Sequence, residues 1–155
     1  MKLSIDTNLF IYAADPDSPY HSEARQFFSS IKSMPAGDVY VCGLVLTEIY
    51  MQLRNPAIFK KPYSNTQSVD FCRKLKSNPA WAYIDYSDVI FEKLMDFEHR
   101  KSRGFRRVID ARIALTLRHH GVTYFATANV KNFKGFDFEA VINPITDPYS
   151  GSDWQ

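Results

Sequence analysis

Short apolar runs alternate along this chain with longer segments whose apolar residues recur at helical spacing. The short runs are predicted to be strands, at residues 2–5, 39–43, 80–85, 122–127 and 140–144. The longer segments are predicted to be helices, at residues 7–15, 20–32, 44–54, 65–77, 87–101 and 107–121. Strands that alternate with helices favour a parallel sheet covered on both faces. We therefore predict an α/β fold whose functional site lies beyond the carboxyl ends of the strands.

The size and composition of the chain fit one folded domain. It has 155 residues, of which 45% are hydrophobic, and this is enough for one sizeable core. We assign residues 1–146 to this domain and residues 147–155 to a loose tail. No apolar run approaches the ~20 residues of a membrane span, and a signal peptide is not indicated. Cys42 and Cys72 lack the spacing of a zinc site, so we expect a reducing, cytoplasmic setting without membrane contact.

Three acidic residues lie in otherwise apolar surroundings. Asp6 ends the first predicted strand, Glu48 lies within "LVLTEIY", and Asp110 lies within "RVIDARIAL". A carboxylate beside a core is costly unless it is paired, hydrogen-bonded or bound to a metal. Each acid also has a plainer explanation. Asp6 suits a helix N-cap, Asp110 suits the dipole of a first helical turn, and Glu48 suits an exposed position beside the apolar stripe.

Taken together, the three acids predict a metal site. Like charges at close range raise one another's pKa, so they stay ionised together only when a cation neutralises them. Oxygen ligands from Asp and Glu suit Mg²⁺, with Mn²⁺ as a substitute. Such an ion can activate water for attack on a phosphate. Phosphate-cradling motifs of the GxxxxGK[ST] or GxGxxG kind are absent from the sequence, which argues against nucleotide binding.

A basic segment leads directly into the third acid. Residues 100–107 read "RKSRGFRR", in which five of the eight residues are basic. The net charge of +2 is too small to indicate nucleic-acid binding by itself, so the local concentration of charge carries the argument. A solvated basic loop is the plainer explanation. Its position before Asp110 favours a phosphate contact, and Arg103, Arg106 and Arg107 are the RNA-binding candidates.

Four blocks of this sequence, in order, resemble the PIN domain, specifically the VapC-type toxins of bacterial toxin–antitoxin pairs. The blocks are "IDTNLFIYA", "LVLTEIYMQLRNP", "VIDARIALTLRHHGV" and "FATANVKNF", and the likeness extends over about residues 2–144. The resemblance implies a three-layer α/β/α sandwich with a central parallel sheet. It also implies a metal-dependent endoribonuclease that hydrolyses RNA phosphodiesters, forms a homodimer and is held inactive by a cognate antitoxin protein.

The resemblance also implies roles for individual residues. The three acids of the family's site match Asp6, Glu48 and Asp110, as catalytic and metal-binding residues. The fourth metal position falls on Asn129, where many family members carry Asp. An amide oxygen without charge implies a weak or water-mediated ligand, so we expect one firmly held ion. Asn132 stands where a further Asp often follows.

Three polar neighbours are implied to orient these ligands. Thr7 and Asn8 follow Asp6 directly and are expected to position its carboxylate. Thr127 is the third residue of the last block and is expected to hydrogen-bond a carboxylate or a metal-bound water.

Two other functions remain open on the sequence. A catalytically weak or inactive PIN-like RNA-binding module is supported by Asn129 and Asn132. A DNA-directed nuclease is disfavoured because the chain is short for the elements that clasp branched DNA. The sequence does not indicate which RNA is cleaved, because that choice depends on groove shape and loop contacts.

Overall fold

The computed structural model describes residues 1–101 and 104–147, which form five parallel strands and the helices between them. The strands are β1 (Leu3–Ile5), β2 (Val39–Cys42), β3 (Trp81–Ile84), β4 (Tyr124–Ala126) and β5 (Ala140–Ile142). The helices are α1 (Thr7–Ala14), α2 (His21–Ser30), α3 (Gly43–Leu53), α4 (Asn65–Lys76), α5 (Asp88–Arg100) and α6 (Val108–His119). Short 3₁₀ turns cover Ile31–Ser33, Phe105–Arg107 and Val130–Asn132.

The predicted order of strands and helices is confirmed, with small differences at the ends of the elements. The last predicted strand, 140–144, ends at Ile142, and the helix predicted over 20–32 gives way to a 3₁₀ turn after Ser30. The 3₁₀ turns were outside the prediction because three residues are too few to show a hydrophobic period. The tail predicted at 147–155 lies, apart from Asp147, outside the described residues.

The sheet has the strand order β3-β2-β1-β4-β5, and every neighbouring pair is parallel. From β1 the chain moves outward to β2 and β3, and then returns to place β4 on the other side of β1. Right-handed crossovers therefore put α1–α4 on one face and α5 and α6 on the other. The predicted three-layer α/β/α sandwich is confirmed.

The central strand β1 lies in the middle of the core. Leu3 and Ile5 are almost completely buried, and they pack in one cluster with Leu9 of α1 and Leu117 of α6. Even Ser4 is buried, and its hydroxyl donates to the Tyr40 carbonyl oxygen of β2 at 2.8 Å. A polar side chain buried on this central strand therefore needs a hydrogen-bond partner.

Local signals fix where the flanking helices begin and end. Asp6 is the N-cap of α1, as one explanation from the sequence proposed. Gly121 has φ +78 just after α6, the left-handed conformation that ends helices. None of the helices in residues 1–101 and 104–147 is long and apolar enough to cross a membrane.

Candidate functional site

Asp6 lies where the order of strands reverses. It follows β1 directly, and its backbone N–H donates to the Ala126 carbonyl oxygen at the end of β4 at 2.9 Å. The carboxyl ends of β1 and β4 therefore meet at this residue. In open α/β sheets this switch point leaves a crevice in which ligands bind.

The carboxylate of Asp6 is buried and hydrogen-bonded from three sides. Its side chain is 7% exposed. The Thr7 backbone N–H donates to Oδ1 at 2.8 Å, and the Asn8 amide donates to Oδ2 at 3.0 Å. The hydroxyl of Thr127, itself fully buried, donates to Oδ2 at 2.5 Å. Asn8 and Thr127 thus both hydrogen-bond this carboxylate, and their role in orienting a metal ligand stays a prediction.

Glu48 reaches the same crevice from the neighbouring helix. It is half-buried on α3, and its Oε2 accepts a hydrogen bond from the Thr7 hydroxyl at 2.8 Å. Thr7 therefore touches both acids, with its backbone N–H on Asp6 and its hydroxyl on Glu48. The plainer explanation of Glu48, an exposed position beside the apolar stripe, is wrong, because this residue is half-buried and bonded to Thr7.

The three acids interact through their charges. Burial raises the pKa of the Asp6 carboxyl and the charge of Asp110 raises it further, whereas the hydrogen bonds to Thr127, Thr7 and Asn8 lower it. Burial also raises the pKa of the Glu48 carboxyl, opposed by its bond to Thr7 and reinforced by Asp6 and Asp110. Each buried acid is therefore costly to ionise beside the others, which favours a bound cation.

Asp110 lies in the first turn of α6 and has a cationic partner. The Arg107 Nε is 3.3 Å from its Oδ2, and an Arg107 Nη donates to the Asn132 carbonyl oxygen at 3.1 Å. Arg107, one of the predicted RNA-binding residues, thus contacts other residues of this chain. Arg106 is exposed, with its guanidinium 5.5 Å from the ring centre of Phe105. Arg103 lies outside the described residues.

Asn129 follows β4 and is linked to the site through its backbone. Its N–H donates to the Thr127 hydroxyl oxygen at 3.0 Å, and its own side chain is exposed. The segment that carries Asn129 therefore lies beside Asp6. Its role as a weak metal ligand stays a prediction.

The donor chemistry of these residues fits a hard divalent cation. All three acids offer oxygen, the donor that Mg²⁺ and Mn²⁺ prefer. The Asp6 carboxylate has about four lone-pair positions, and three of them accept hydrogen bonds from Thr7, Asn8 and Thr127. About one lone-pair position therefore remains for a metal ion. Within the described residues, no three Asp, Glu, His or Cys side chains already stand together as a ligand set.

Sequence reasoning missed two features of this region. The double role of Thr7 depends on how α1 packs against α3, which no local pattern reveals. The second feature is Phe105, which lies in the basic segment and is 82% exposed. The sequence does mark this residue, because it is the one aromatic residue in a segment with five basic residues.

Comparisons with known proteins agree on one family. The family model described as "PIN domain" matches residues 3–139. Ribonuclease VapC24 of Mycobacterium tuberculosis (strain H37Rv) is 41% identical over 145 residues, which are 93% of this chain and 97% of that protein.

Solved structures show the same fold at low sequence identity. VapC20 of Mycobacterium tuberculosis, described as a sarcin-ricin loop cleaving toxin, superposes with a TM-score of 0.59 at 13% identity and covers 80% of this chain and 87% of its own. A toxin–antitoxin complex from Klebsiella pneumoniae gives a TM-score of 0.60 at 18% identity, over 97% of this chain and 99% of the matched chain.

Proposed function

Because this chain belongs to the PIN domain family, and within it to the VapC ribonucleases, we propose that it cleaves RNA with a divalent cation held by Asp6, Glu48 and Asp110. The chain is an RNA-cleaving hydrolase of the VapC toxin type. The metal dependence, the residue roles and the substrate are the parts that we propose.

The observation that carries the proposal is a shared contact. Thr7 donates its backbone N–H to Asp6 and its hydroxyl to Glu48, so two acids meet where the order of strands reverses. Burial raises the pKa of both carboxyls, and the charge of Asp110 raises both further. A cation among the three would oppose this penalty, because it stabilises the ionised form of every carboxylate around it.

Each acid has a proposed role. Asp6 and Asp110 hold the ion, directly or through water, and Glu48 is either a third ligand or the group that orients the attacking water. A bound Mg²⁺, or Mn²⁺ in its place, supplies charge stabilisation at the phosphodiester and favours hydroxide over water as the nucleophile.

The neighbouring polar residues fix these acids in orientation. Thr127 and Asn8 hold Asp6, and Thr7 ties Glu48 to the start of α1. Ligands held in this way keep their geometry without reorganisation during the reaction. Asn129 contributes an uncharged oxygen at most, so the free protein holds one ion firmly, and a second would arrive with the RNA phosphate.

Arginines on the segment before α6 are proposed to bind the RNA backbone. Arg106 is exposed and free to reach phosphate, and Arg103 belongs to the same basic segment. Arg107 pairs with Asp110 and also contacts the Asn132 carbonyl oxygen. A guanidinium has five N–H donors, so the donors that remain on Arg107 are proposed to contact phosphate.

The partners follow from the toxin type. Since structural neighbours include a toxin–antitoxin complex, we propose a cognate antitoxin protein as the inhibitor of this chain. A homodimer is likewise part of the proposal.

A second candidate function is an RNA-binding module without efficient cleavage. Asn129 and Asn132 support it, because they supply no charge where further acids would strengthen a metal site.

Metal removal separates the two candidates. The purified chain is incubated with single-stranded RNA in Mg²⁺, in EDTA, and in EDTA followed by excess Mn²⁺, with single-stranded DNA as a parallel substrate. We expect cleavage of RNA in Mg²⁺, none in EDTA, and recovery with Mn²⁺. Binding of RNA without cleavage in any condition would favour the second candidate, and undiminished cleavage in EDTA would refute metal dependence.

A further inference from the structure

Phe105 is the most exposed large apolar side chain of the described residues, at 82%. An aromatic ring in water contributes almost nothing to the core, so the fold gives no reason for its presence. It begins the 3₁₀ turn Phe105–Arg107, which leads directly into α6. Phe105 is therefore a surface residue at the start of the helix that carries Asp110.

The turn is fixed relative to the candidate site. The Arg107 backbone N–H donates to the Gly104 carbonyl oxygen at 2.8 Å, and its guanidinium contacts both Asp110 and the Asn132 carbonyl oxygen. Five residues at the rise of helical backbone separate Phe105 from Asp110 by roughly 10 Å along the chain. Phe105 thus lies close along the chain to the helical turn that carries Asp110.

The charge around this ring indicates its partner. The Arg106 guanidinium lies 5.5 Å from the ring centre, and five of the eight residues at 100–107 are basic. Aromatic and arginine side chains are also common at protein interfaces, but a run of eight residues with five positive charges and no acid favours an anionic partner. Aromatic rings set among basic residues are the usual platform for single-stranded nucleic acid, since every base has a face that stacks.

We propose that Phe105 and Arg106 form a stacking subsite for an unpaired RNA base beside the cleavage site. The ring of Phe105 stacks on the base, and the guanidinium of Arg106 contacts the adjoining phosphate. Because both faces of a base inside a duplex are covered by its stacked neighbours, this subsite selects single-stranded or looped RNA over duplex RNA. The inference rests on the proposed function and adds to it the form of RNA that the site accepts.

The test measures RNA binding apart from cleavage. In an Asp6→Asn background with Mg²⁺, a labelled single-stranded oligouridylate and a duplex of the same length are titrated by fluorescence anisotropy. Phe105→Leu keeps the apolar character and removes the ring, Phe105→Tyr restores a ring, and Phe91→Leu alters an exposed phenylalanine of α5 as the matched control. The salt dependence of Arg106→Ala is measured beside them.

We expect Phe105→Leu to weaken single-strand binding roughly tenfold, with little change for the duplex and an unchanged salt slope. Phe105→Tyr and Phe91→Leu should bind like the parent, and Arg106→Ala should lower the salt slope by about one.

Other results would overturn the subsite. Equal binding by Phe105→Leu and the parent, while the unmodified chain still cleaves RNA, refutes the subsite and leaves the proposed function standing. If Phe105→Leu alters only the oligomeric mass or the antitoxin affinity, the ring belongs to a protein interface and the subsite is also refuted. A chain that neither binds nor cleaves RNA would refute the proposed function itself.

Discussion

Asp6 and Asp85 occupy similar places in the sequence and different places in the fold. Each follows an isoleucine at the carboxyl end of a parallel strand, β1 for Asp6 and β3 for Asp85. Asp6 is 7% exposed and accepts hydrogen bonds from Thr7, Asn8 and Thr127. Asp85 is exposed and accepts from the Tyr83 hydroxyl at 2.7 Å and the Tyr86 backbone N–H at 2.8 Å.

The position of each strand in the sheet explains this difference. β1 is central and borders the point where strand order reverses, so β4 and α3 bring Thr127 and Glu48 to its end. β3 is an edge strand with a single neighbour, and the partners of Asp85 come from its own chain segment. A strand-end acid thus becomes a candidate ligand where distant segments converge on it.

The two acids also differ in which group has its pKa raised. At Asp6, burial and Asp110 raise the pKa of the acid itself. At Asp85 the affected group is its neighbour, since burial and then Asp85 raise the pKa of the Tyr83 phenol to about 12. Asp85 therefore acts as a hydrogen-bond acceptor on the surface, and matched substitutions at the two acids test the difference between them.

The largest expected difference is in RNA cleavage. Asp6→Asn keeps a side chain suited to the N-cap of α1 but removes the charge, so we expect cleavage to fall by roughly 100-fold or more. Asp85→Asn should leave the rate within about twofold, since surface changes away from the site have small effects. Single-turnover cleavage of a labelled RNA gives both values. Equal losses of cleavage rate in the two variants would show that Asp6 matters no more for catalysis than Asp85 does.

A smaller difference is expected in stability, from the donors to each acid. Thr127→Val removes a fully buried hydroxyl that donates to a buried carboxylate, so the free energy of unfolding should fall by about 2 kcal/mol. Tyr83→Phe removes the hydroxyl that donates to exposed Asp85, and it should change the free energy of unfolding by less than about 0.5 kcal/mol. Urea unfolding in EDTA measures both. A Thr127→Val variant as stable as the parent would mean that this bond does not support the site.

The pH dependence of stability provides a third contrast. The fold raises the pKa of Asp6 above 3.8 and that of Glu48 above 4.5, so the folded state binds more protons than the unfolded state over the range just above those values. The free energy of unfolding without metal should therefore fall as pH rises through that range. Asp6→Asn should reduce this fall in the free energy of unfolding.

Urea unfolding in EDTA from about pH 4 to about pH 7 tests this contrast. An identical pH profile for Asp6→Asn and the parent would show that the folded chain does not disfavour ionised Asp6.

The smallest expected effect concerns Asn129, beside Asp6 at the end of β4. Asn129→Asp adds a fourth negative charge, so it should strengthen metal binding several-fold and let cleavage saturate at lower Mg²⁺. Cleavage rates across a Mg²⁺ series compare the variant with the parent. If both saturate at the same concentration, Asn129 does not face the ion.

The sequence predicted the elements well because their signals are local. The buried strand at β1 and the helices that follow Asp6 and precede Gly121 are visible as apolar periods, caps and a C-terminal glycine. The convergence of Asp6 with Glu48 was predicted from the α/β class and supported by family resemblance. The bond between Thr127 and Asp6 joins residues 121 positions apart, and only the strand order determines it.

The remaining features depend on contacts between side chains. "IDT" at Asp6 and "IDY" at Asp85 look alike, and strand order alone separates a central strand from an edge strand. Arg107 was assigned to RNA as one of several basic residues, yet it contacts Asp110 because a 3₁₀ turn places it one helical turn before that acid. No periodicity in the sequence encodes that turn.

Titration calorimetry with Mn²⁺ tests the central claim most directly, that Asp6, Glu48 and Asp110 together hold one cation. The proteins are the parent chain, Asp6→Asn, Glu48→Gln, Asp110→Asn and the matched control Asp85→Asn. We predict one firmly bound ion in the parent and in Asp85→Asn, with affinity weakened at least about tenfold in each of the other three. Absence of Mn²⁺ binding by the parent, or equal loss in Asp85→Asn and Asp6→Asn, would contradict the account.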